Sequence, residues 1–342
     1  MHIFRLSRRI LGILAVAVAL VVFSTACVSD RTGGGGDKHL KIAIFPGAMQ
    51  SLPAVLADEL GIFAKHGLEV TLLNVQGGPA GTSAVLSGSA DVMLNGTDNV
   101  TLARAAKGGP DLVVVSGNTS KQINSLIVRS DLPTPNLDSG YPEAMRDLAG
   151  KKIGVPARGS SLENITRIML KAADMDPDKD VIWLALGTAQ AMATAIQTGQ
   201  VDALLAPEPL LTQTVLKGDA KFLVDMRTGK PEELQWPFNM WWALRGTIQK
   251  KHDSIGAFQE AMKETFAYLQ DDANLDEILP HVQKFMGVDE ATARKLMSPL
   301  NISTFGYRVS ESGMLRLWEH MKDLNLIDTV PDYKTVVDAG AR

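Results

Sequence analysis

A short polar segment in the middle of the chain carries residue types that can hold an anion: Arg158, Gly159, Ser160, Ser161 and Glu163. Ser160 and Glu163 have the S-x-x-E spacing of a capping box, which begins a helix. The first N–H groups of a helix are unpaired and carry positive potential, so they attract a negative group. Arg158 is either a bidentate partner for that anion or a solvent-exposed turn arginine. The segment therefore predicts an anion-binding turn or an ordinary connection between a strand and a helix.

The elements on either side of this segment are a strand and a helix. Ile153 and Val155 supply the β-branched side chains of a buried strand over 152–155. Pro156 prevents that strand from continuing. The apolar spacing that follows predicts a helix over 162–173. The segment is therefore expected to lie at the carboxyl end of a strand.

Small, polar turns follow other predicted strands as well. Their candidate ligand-binding residues are Gln50, Ser51, Gly78, Thr97, Asp98 and Thr119. In open α/β sheets, ligands bind outside the carboxyl ends of the strands. Two such sheets facing each other would bring these turns together in one cleft. A site for a small ligand is therefore the expectation.

Two further candidates each have two open interpretations. Glu208 stands between Pro207 and Pro209; it either accepts hydrogen bonds from a ligand amine or amide or caps its own helix. Trp236 is near Trp241 along the chain. A tryptophan here either lines the cleft, where its ring can stack on a ligand, or packs in the core.

Strands alternate with short helices in two series along the chain, which favours an α/β fold with mostly parallel sheets. Residues 40–122 together with 236–342 are expected to form one lobe, and residues 123–235 the other. The chain then crosses between the lobes near residues 118–130 and returns near 225–245. After Trp236 a strand over 239–244 is expected, followed by a largely helical remainder whose first helix spans 248–269.

The first residues are expected to be a targeting segment. Three arginines precede an uncharged apolar run over 10–23, the pattern of a signal peptide spanning residues 1–26. Small residues then precede Cys27, which resembles a bacterial lipobox with Ser24 in the usual leucine position. Cys27 is thus a predicted lipid-attachment site, or a free cysteine after simple cleavage. Residues 27–39 are glycine-rich and predict a flexible tether at the outer face of the cytoplasmic membrane.

Composition excludes several classes of protein. The 342 residues are 45% hydrophobic, which rules out disorder of the whole chain. The net charge is −4 and no basic block is present, so a nucleic-acid partner is not expected. Cys27 is the only cysteine, and the histidines are scattered without metal-ligand spacing. No metal site and no cofactor are therefore predicted.

Four segments carry recognisable patterns: LADELGIFAKHGLEV at 56–70, LSGSADV at 86–92, LAGKKIGVP at 148–156, and QTGQVDA at 197–203 followed by PEP at 207–209. Together they resemble the solute-binding proteins of the nitrate/sulfonate/taurine class of ABC importers. That resemblance implies a two-lobed α/β fold of the periplasmic-binding-protein type (type II), with a hinge that closes on a ligand. It also implies delivery of the ligand to a membrane permease with its ATPase, by a monomer. The family usually has tryptophan where Pro207 stands, so the shape of the pocket at this point differs.

The residues favour a small organic acid with a donor-bearing end, such as the sulfonate taurine, because helix starts attract an anion while Glu208 disfavours a plain one. The runner-up is a neutral or cationic heterocycle, such as a thiamine-type pyrimidine stacked on Trp236 or Trp241. The same fold family includes pyrimidine synthases that need a cysteine-rich segment, which this chain lacks. No G-x-S-x-G, Walker A or H-E-x-x-H motif occurs either. A binding protein is therefore expected rather than an enzyme, with a ligand-sensing domain as the alternative.

Overall fold

The computed structural model describes residues 38–342, so the predicted signal peptide, Cys27 and most of the tether lie outside the described residues. Within this range, ten strands form two five-stranded sheets. The strands are β1 His39–Ile44, β2 Glu69–Asn74, β3 Val92–Gly96, β4 Leu112–Ser116, β5 Ser125–Arg129, β6 Lys152–Val155, β7 Ile182–Ala185, β8 Ala203–Ala206, β9 Ala220–Val224 and β10 Asn239–Leu244.

Helices connect the strands and form most of the C-terminal part. They are α1 Leu52–Glu59, α2 Ile62–Lys65, α3 Gly78–Leu86, α4 Thr97–Ala105, α5 Ser161–Ala172, α6 Ala189–Gln197, α7 Leu210–Leu216, α8 Arg245–Lys250, α9 His252–Gln270, α10 Leu275–Met286, α11 Glu290–Leu296, α12 Pro299–Ile302, α13 Glu311–Asp323 and α14 Tyr333–Val336. Short 3-10 helices lie at Met49–Ser51, Leu137–Ser139, Glu143–Leu148, Met226–Thr228, Glu232–Leu234, Asp272–Asn274 and Ala339–Ala341.

The two sheets have the same arrangement of strands. The first has the order β2-β1-β3-β10-β4 and the second the order β7-β6-β8-β5-β9. In each sheet the fourth strand is antiparallel to both neighbours and comes from a distant part of the chain. Between residues 38 and 342 the chain therefore crosses twice between the sheets, at 117–124 and at 225–238. The predicted α/β class is confirmed, while the exact lobe boundaries stay a prediction.

The two crossings run side by side where they leave the first sheet. Thr119 donates its N–H to Asn239 O (3.0 Å), and Phe238 donates its N–H to Thr119 O (3.0 Å). Further along, the N–H of Gln122 donates to the side chain of Gln235 (3.3 Å). These bonds hold the crossings together as a short antiparallel ribbon.

Tryptophans pack at the base of this ribbon. Trp241 and Trp242 are fully buried in β10, and their indole N–H groups donate to Asn118 Oδ1 (3.1 Å) and Asn95 O (3.3 Å). Trp236 is 1% exposed and meets the His320 ring edge-on. The rings therefore form part of the core that positions the crossings.

One predicted helix is wrong in its first turns. The apolar spacing predicts a single helix over 248–269, whereas α8 and α9 are separate and meet at Lys251, whose φ is −115° and ψ is 36°. The Lys251 ammonium donates to His39 O (2.9 Å) and Asp91 Oδ2 (3.1 Å) at the start of the first sheet. These tertiary contacts fix the position of the break, and local spacing carries no sign of them.

Candidate functional site

The turns that follow β1 and β8 meet across the two sheets. The N–H of Met49 donates to Glu208 O at 3.4 Å. The next residue, Gln50, is 4% exposed, and its Nε2 donates to Asn124 Oδ1 in the first crossing at 3.4 Å. The chain thus brings a turn of each sheet and one crossing to the same place.

Asp98 is buried at the start of α4 and reaches the second sheet's helix α5. It is 2% exposed, and its Oδ2 accepts from Asn164 Nδ2 at 2.7 Å. Burial raises the pKa of Asp98, although hydrogen bonds from Ser161 and Asn164 act in the opposite direction. A side chain of the first lobe therefore lies against the first turn of α5, for which the sequence leaves an anion-binding turn and an ordinary connection open.

Gly96 and Ser161 pack closely against each other across the two lobes. A Cβ added to Gly96 would overlap Ser161 Oγ, although the backbone of Gly96 (φ −65°, ψ 136°) suits any residue. When the Asn99 amide is turned to face its partners, it donates to Gly159 O (2.9 Å) and accepts from Ser161 Oγ (3.0 Å). Because Gly96 has no side chain, Ser161 can pack directly against it.

The start of α5 has the predicted Ser160 cap, but the second bond of the capping box goes to Gly159, one residue before the cap. Ser160 Oγ accepts from the N–H of Glu163 at 3.4 Å, and the Glu163 carboxylate accepts from the N–H of Gly159 at 2.8 Å. Arg158 Nε also donates to that carboxylate at 3.0 Å, and Arg167 Nε at 2.9 Å. Burial opposes ionisation, but the arginines outweigh it and lower the pKa of Glu163. The Arg158 side chain is 55% exposed and bound within its own lobe, so its role toward a ligand stays a prediction.

Glu208 is fully buried and has partners of its own. Its carboxylate accepts from the N–H (3.0 Å) and hydroxyl (2.9 Å) of Thr212, and from Arg227 at 3.2 Å. Burial raises the pKa of Glu208 although these partners oppose the rise. Of the two interpretations left open, these contacts favour the cap of its own helix α7.

Ser51 and Gly78 each have a structural contact. Ser51 Oγ accepts from the N–H of Phe45 at 2.9 Å and so closes the turn after β1. Gly78 begins α3 against Asn95, whose Nδ2 donates to Gly78 O at 3.0 Å. A Cβ at Gly78 would overlap the Asn95 amide, so this close approach requires glycine.

Thr97, Thr119 and Trp236 all contact or belong to the crossings. Thr97 Oγ1 donates to Phe238 O at 3.1 Å, and Thr119 Oγ1 accepts from the N–H of Asn239 at 2.9 Å. Together with the buried Trp236, these residues fix the ribbon of crossings relative to the first sheet. Direct contact of any of the three with a ligand stays a prediction.

Four buried amides in or beside the crossings have polar atoms without a hydrogen-bond partner among the described residues: Gln122 and Asn124 in the first crossing, Gln50 in the turn after β1 and Asn239 at the start of β10. These atoms are Gln50 Oε1, both side-chain polar atoms of Gln122, Asn124 Nδ2 and Asn239 Oδ1. None of the four residues is more than 4% exposed. A buried polar atom without a partner costs about 1–3 kcal/mol, so these amides favour the binding of a polar ligand.

Sequence reasoning missed most of this cluster. Gln122 and Asn124 alternate with Ile123, which is fully buried. Two amides two positions apart in an extended segment share a face, and that signal was available in the sequence. Asn239 and Asn164 carry no comparable pattern, because their importance depends on which elements lie opposite.

Within residues 38–342, no group of three or more His, Asp or Glu side chains is arranged to hold a metal ion. In the same range no helix has the length and apolar character needed to cross a membrane. A cavity of about 430 Å³ lies among the C-terminal helices, lined in part by Leu269, Leu275 and Ile302. Strand ends do not contribute to its lining, so we do not assign the site there.

Residues 33–281 match the sequence model of the NMT1-like family. This chain belongs to the NMT1-like family. The match covers all strands of both sheets and ends within α10, so the helices after α10 lie beyond it. The resemblance on the four segments is confirmed at the level of the family.

A Bacillus subtilis (strain 168) protein named as an aliphatic sulfonates-binding protein is 26% identical over 340 residues, covering 95% of this chain and 94% of that protein. The alkanesulfonate-binding protein SsuA from Xanthomonas axonopodis pv. citri, solved bound to MOPS, is 19% identical with a TM-score of 0.68, covering 88% of this chain and 98% of that one. The periplasmic nitrate-binding protein NrtA from Synechocystis PCC 6803 is 16% identical with a TM-score of 0.63, covering 80% of this chain and 74% of that one. These structures confirm the two-lobed periplasmic-binding-protein fold of this NMT1-like chain.

One structural neighbour is an enzyme. The desulfurization enzyme DSZB has a TM-score of 0.60 at 16% identity, covering 85% of this chain and 94% of that one. The fold alone therefore does not separate binding proteins from enzymes. The Bacillus subtilis relative, which matches along nearly the whole length of this chain, is named as a binding protein.

Proposed function

We propose that this protein is the extracytoplasmic substrate-binding component of an ABC importer. It captures a small organic acid of the sulfonate or taurine type and delivers it to a membrane permease and its ATPase. The observation that carries the proposal is the cluster of buried amides at the crossings, whose polar atoms have no partner among the described residues. Relatives named for sulfonates support the ligand class.

Binding would proceed by closure of the two lobes about the crossings. The contact of Asp98 with Asn164 joins α4 of one lobe to α5 of the other, and the contact of Gly96 with Ser161 joins the end of β3 to the same helix. Both contacts break when the lobes separate. A ligand that fills the amide cluster would therefore be enclosed as these contacts form.

Taurine suits the site better than a plain anion. The Asp98 carboxyl is buried beside Gly96, at the lobe contact, and a carboxylate next to a second negative charge is unfavourable unless a donor lies between them. The ammonium group of taurine supplies such a donor. Asp98, and not Glu208, is the acidic residue that disfavours a plain anion, because the Glu208 carboxylate is satisfied by Thr212 and Arg227.

A neutral heterocycle, such as a thiamine-type pyrimidine, is the second candidate. The amide cluster carries no formal charge, and amides pair well with a ring that both donates and accepts hydrogen bonds. Stacking on tryptophan is not part of this candidate, because Trp236 and Trp241 are buried in the core. The alternative role in the cell is to sense the ligand for a membrane partner instead of delivering it for import.

The other parts of the proposal concern location and assembly. We propose that Cys27 is lipidated, that the mature protein is a monomer on the outer face of the cytoplasmic membrane, and that it has no catalytic activity. Loss of uptake in a strain lacking the protein, with sensing of the same ligand unchanged, would support import over sensing.

Native mass spectrometry of protein purified without added ligand tests the proposal. We expect one small polar organic molecule per chain, released on unfolding. Protein that carries no such molecule, and whose thermal unfolding is unaffected by sulfonates, taurine and pyrimidines, would contradict a solute-binding function.

A further inference from the structure

We infer that residues 290–307, which we call the brace, are part of the hinge and set the position that the lobes take on closure. The brace contains α11 and α12 and ends in an extended segment. It pairs with the first crossing as a third strand, and it also packs against the second lobe. It lies after residue 281, beyond the family match. The inference rests on the proposed function, because it adds a positioning element to the closure of the lobes.

The first crossing is paired along both of its edges. On one edge, Thr119 forms its two backbone hydrogen bonds with the second crossing. On the other edge, residues 304–307 run antiparallel to residues 117–120, with Thr119 opposite Phe305. The bonds alternate between the two edges from one residue to the next, which is the pattern of an internal antiparallel strand.

Hydrogen bonds of the second edge cover the whole of residues 117–120. Three backbone N–H groups donate across it: Gly117 to Tyr307 O (2.7 Å), Ser120 to Thr304 O (2.7 Å) and Gly306 to Asn118 O (2.9 Å). The Ser120 hydroxyl donates to the same Thr304 oxygen at 2.9 Å. A change of backbone angles within 117–120 would break bonds on both edges. Bending of the first crossing is therefore confined to residues 121–124.

The brace also contacts the second crossing and the second lobe. α12 packs against the 3-10 helix Met226–Thr228, and α11 packs against α7, which follows β8 of the second sheet. The buried apolar residues of α7 and those of α11 belong to separate clusters. Separation of these two helices therefore opens no shared apolar core, so their contact can form and break as the lobes move.

Hydrogen bonds connect the paired strand to α11. The N–H and hydroxyl of Thr304 donate to Asn301 O at 3.0 and 2.6 Å. Asn301 Nδ2 donates to the oxygen of Leu296, the last residue of α11, at 3.1 Å. All three residues are buried. The first crossing and α11 therefore keep one relative position, and α11 is the surface that α7 meets when the lobes close.

Hydrogen exchange on the wild-type protein tests the third strand without a variant. The amides of Gly117, Ser120 and Gly306 should be as protected as those of β10, both without ligand and with saturating taurine. Rapid exchange of these amides in the ligand-free protein would show that the brace does not hold the crossing, and would overturn the inference.

Gly117→Ala tests the effect of the brace on closure. Gly117 is not in the left-handed region, but a Cβ there would lie 2.5 Å from Tyr307 O and 2.6 Å from Gly306 O, so the brace must shift. Gly306→Ala is the matched control, because a Cβ added to Gly306 meets open space. We expect Gly117→Ala to bind taurine about tenfold or more weakly than wild type, as for overpacking. At saturating taurine its radius of gyration should stay above that of wild type, while Gly306→Ala should match wild type in both measurements.

The outcomes separate the inference from the proposed function. Taurine affinity and a bound radius in Gly117→Ala equal to those of wild type would overturn the inference and leave the proposed function standing. A lower unfolding temperature with both quantities unchanged would make Gly117 a purely structural residue and would overturn it as well. Failure of wild type to bind taurine would contradict the proposed ligand, and the exchange of the Ser120 and Gly306 amides would then decide the inference.

Discussion

Asp98 is the residue at which the chemistry of the site and the stability of the protein meet. Its carboxyl is 2% exposed and bridges α4 to Asn164 of α5. Burial raises the pKa of Asp98 above its ordinary value of 3.8. The folded protein therefore binds the proton more tightly than the unfolded chain does.

The sign of this linkage gives a prediction for Asp98→Asn. The stabilisation that the wild type gains from protonated Asp98 is complete below about pH 3.8, the ordinary value, and is lost as the pH rises through the higher pKa of the folded state. The variant does not titrate there. We expect its unfolding temperature to equal or exceed that of wild type at pH 7 and to lose this advantage as the pH falls toward 4. Parallel melting curves of the two proteins across this range would contradict the raised pKa.

Arg158→Ala separates the two interpretations of that arginine. Arg158 is the exposed member, at 55%, of its ion pair with the buried Glu163. Because Arg167 still binds that carboxylate, the loss of Arg158 should lower the free energy of unfolding by less than about 1 kcal/mol. We expect ligand affinity to change less than about threefold, since Arg167 still holds Glu163. A loss of affinity beyond tenfold, measured by calorimetry, would return Arg158 to the role of anion partner.

What the sequence could predict about single residues depends on the distance between partners along the chain. Ser160 and Glu163 are three residues apart, and the hydrogen bond from the N–H of Glu163 to the Ser160 cap is present as predicted. Arg227, which binds Glu208, is 19 residues away, and no local pattern indicates that pairing. Gln50 meets Asn124 only because two sheets and a crossing come together.

At the scale of elements, strands with alternating or continuous apolar residues were predictable, because they are defined by their own side chains. The position of β10 between β3 and β4 is less predictable from the sequence. A return of the chain was expected near residues 225–245, but insertion as an internal antiparallel strand depends on which edge is open. The register that sets Asn239 opposite Gly96 follows from that insertion.

Contact between the end of β3 and the start of α5 leads to a prediction for Gly96→Ala. The backbone there accepts alanine, but the added methyl group would overlap Ser161 Oγ of the opposite lobe. Each lobe should therefore fold, while closure fails and ligand affinity falls about tenfold or more, as for overpacking worth about 1–3 kcal/mol.

A second substitution controls this prediction. Ser161→Gly removes the opposing side chain, so the double variant should recover part of the lost affinity. If Gly96→Ala binds as tightly as wild type in calorimetry, the two lobes do not need this approach in order to hold the ligand.

At the scale of the whole molecule, the predicted anchor lies outside the described residues but has a simple test. Lipidation of Cys27 would hold the protein on the membrane, so Cys27→Ala should move it to the soluble fraction of fractionated cells. Cys27→Ala protein that stays with membranes after washing in high salt would show that the attachment is elsewhere.

Closure about the two crossings is the central claim, and small-angle X-ray scattering tests it most directly. The measurement compares the protein with and without the ligand that co-purifies, beside Gly96→Ala as the variant that cannot close. We expect the radius of gyration of wild type to fall when ligand is bound, and that of Gly96→Ala to stay at the ligand-free value. An unchanged radius in wild type, with a ligand of measured affinity at saturation, would contradict capture by closure.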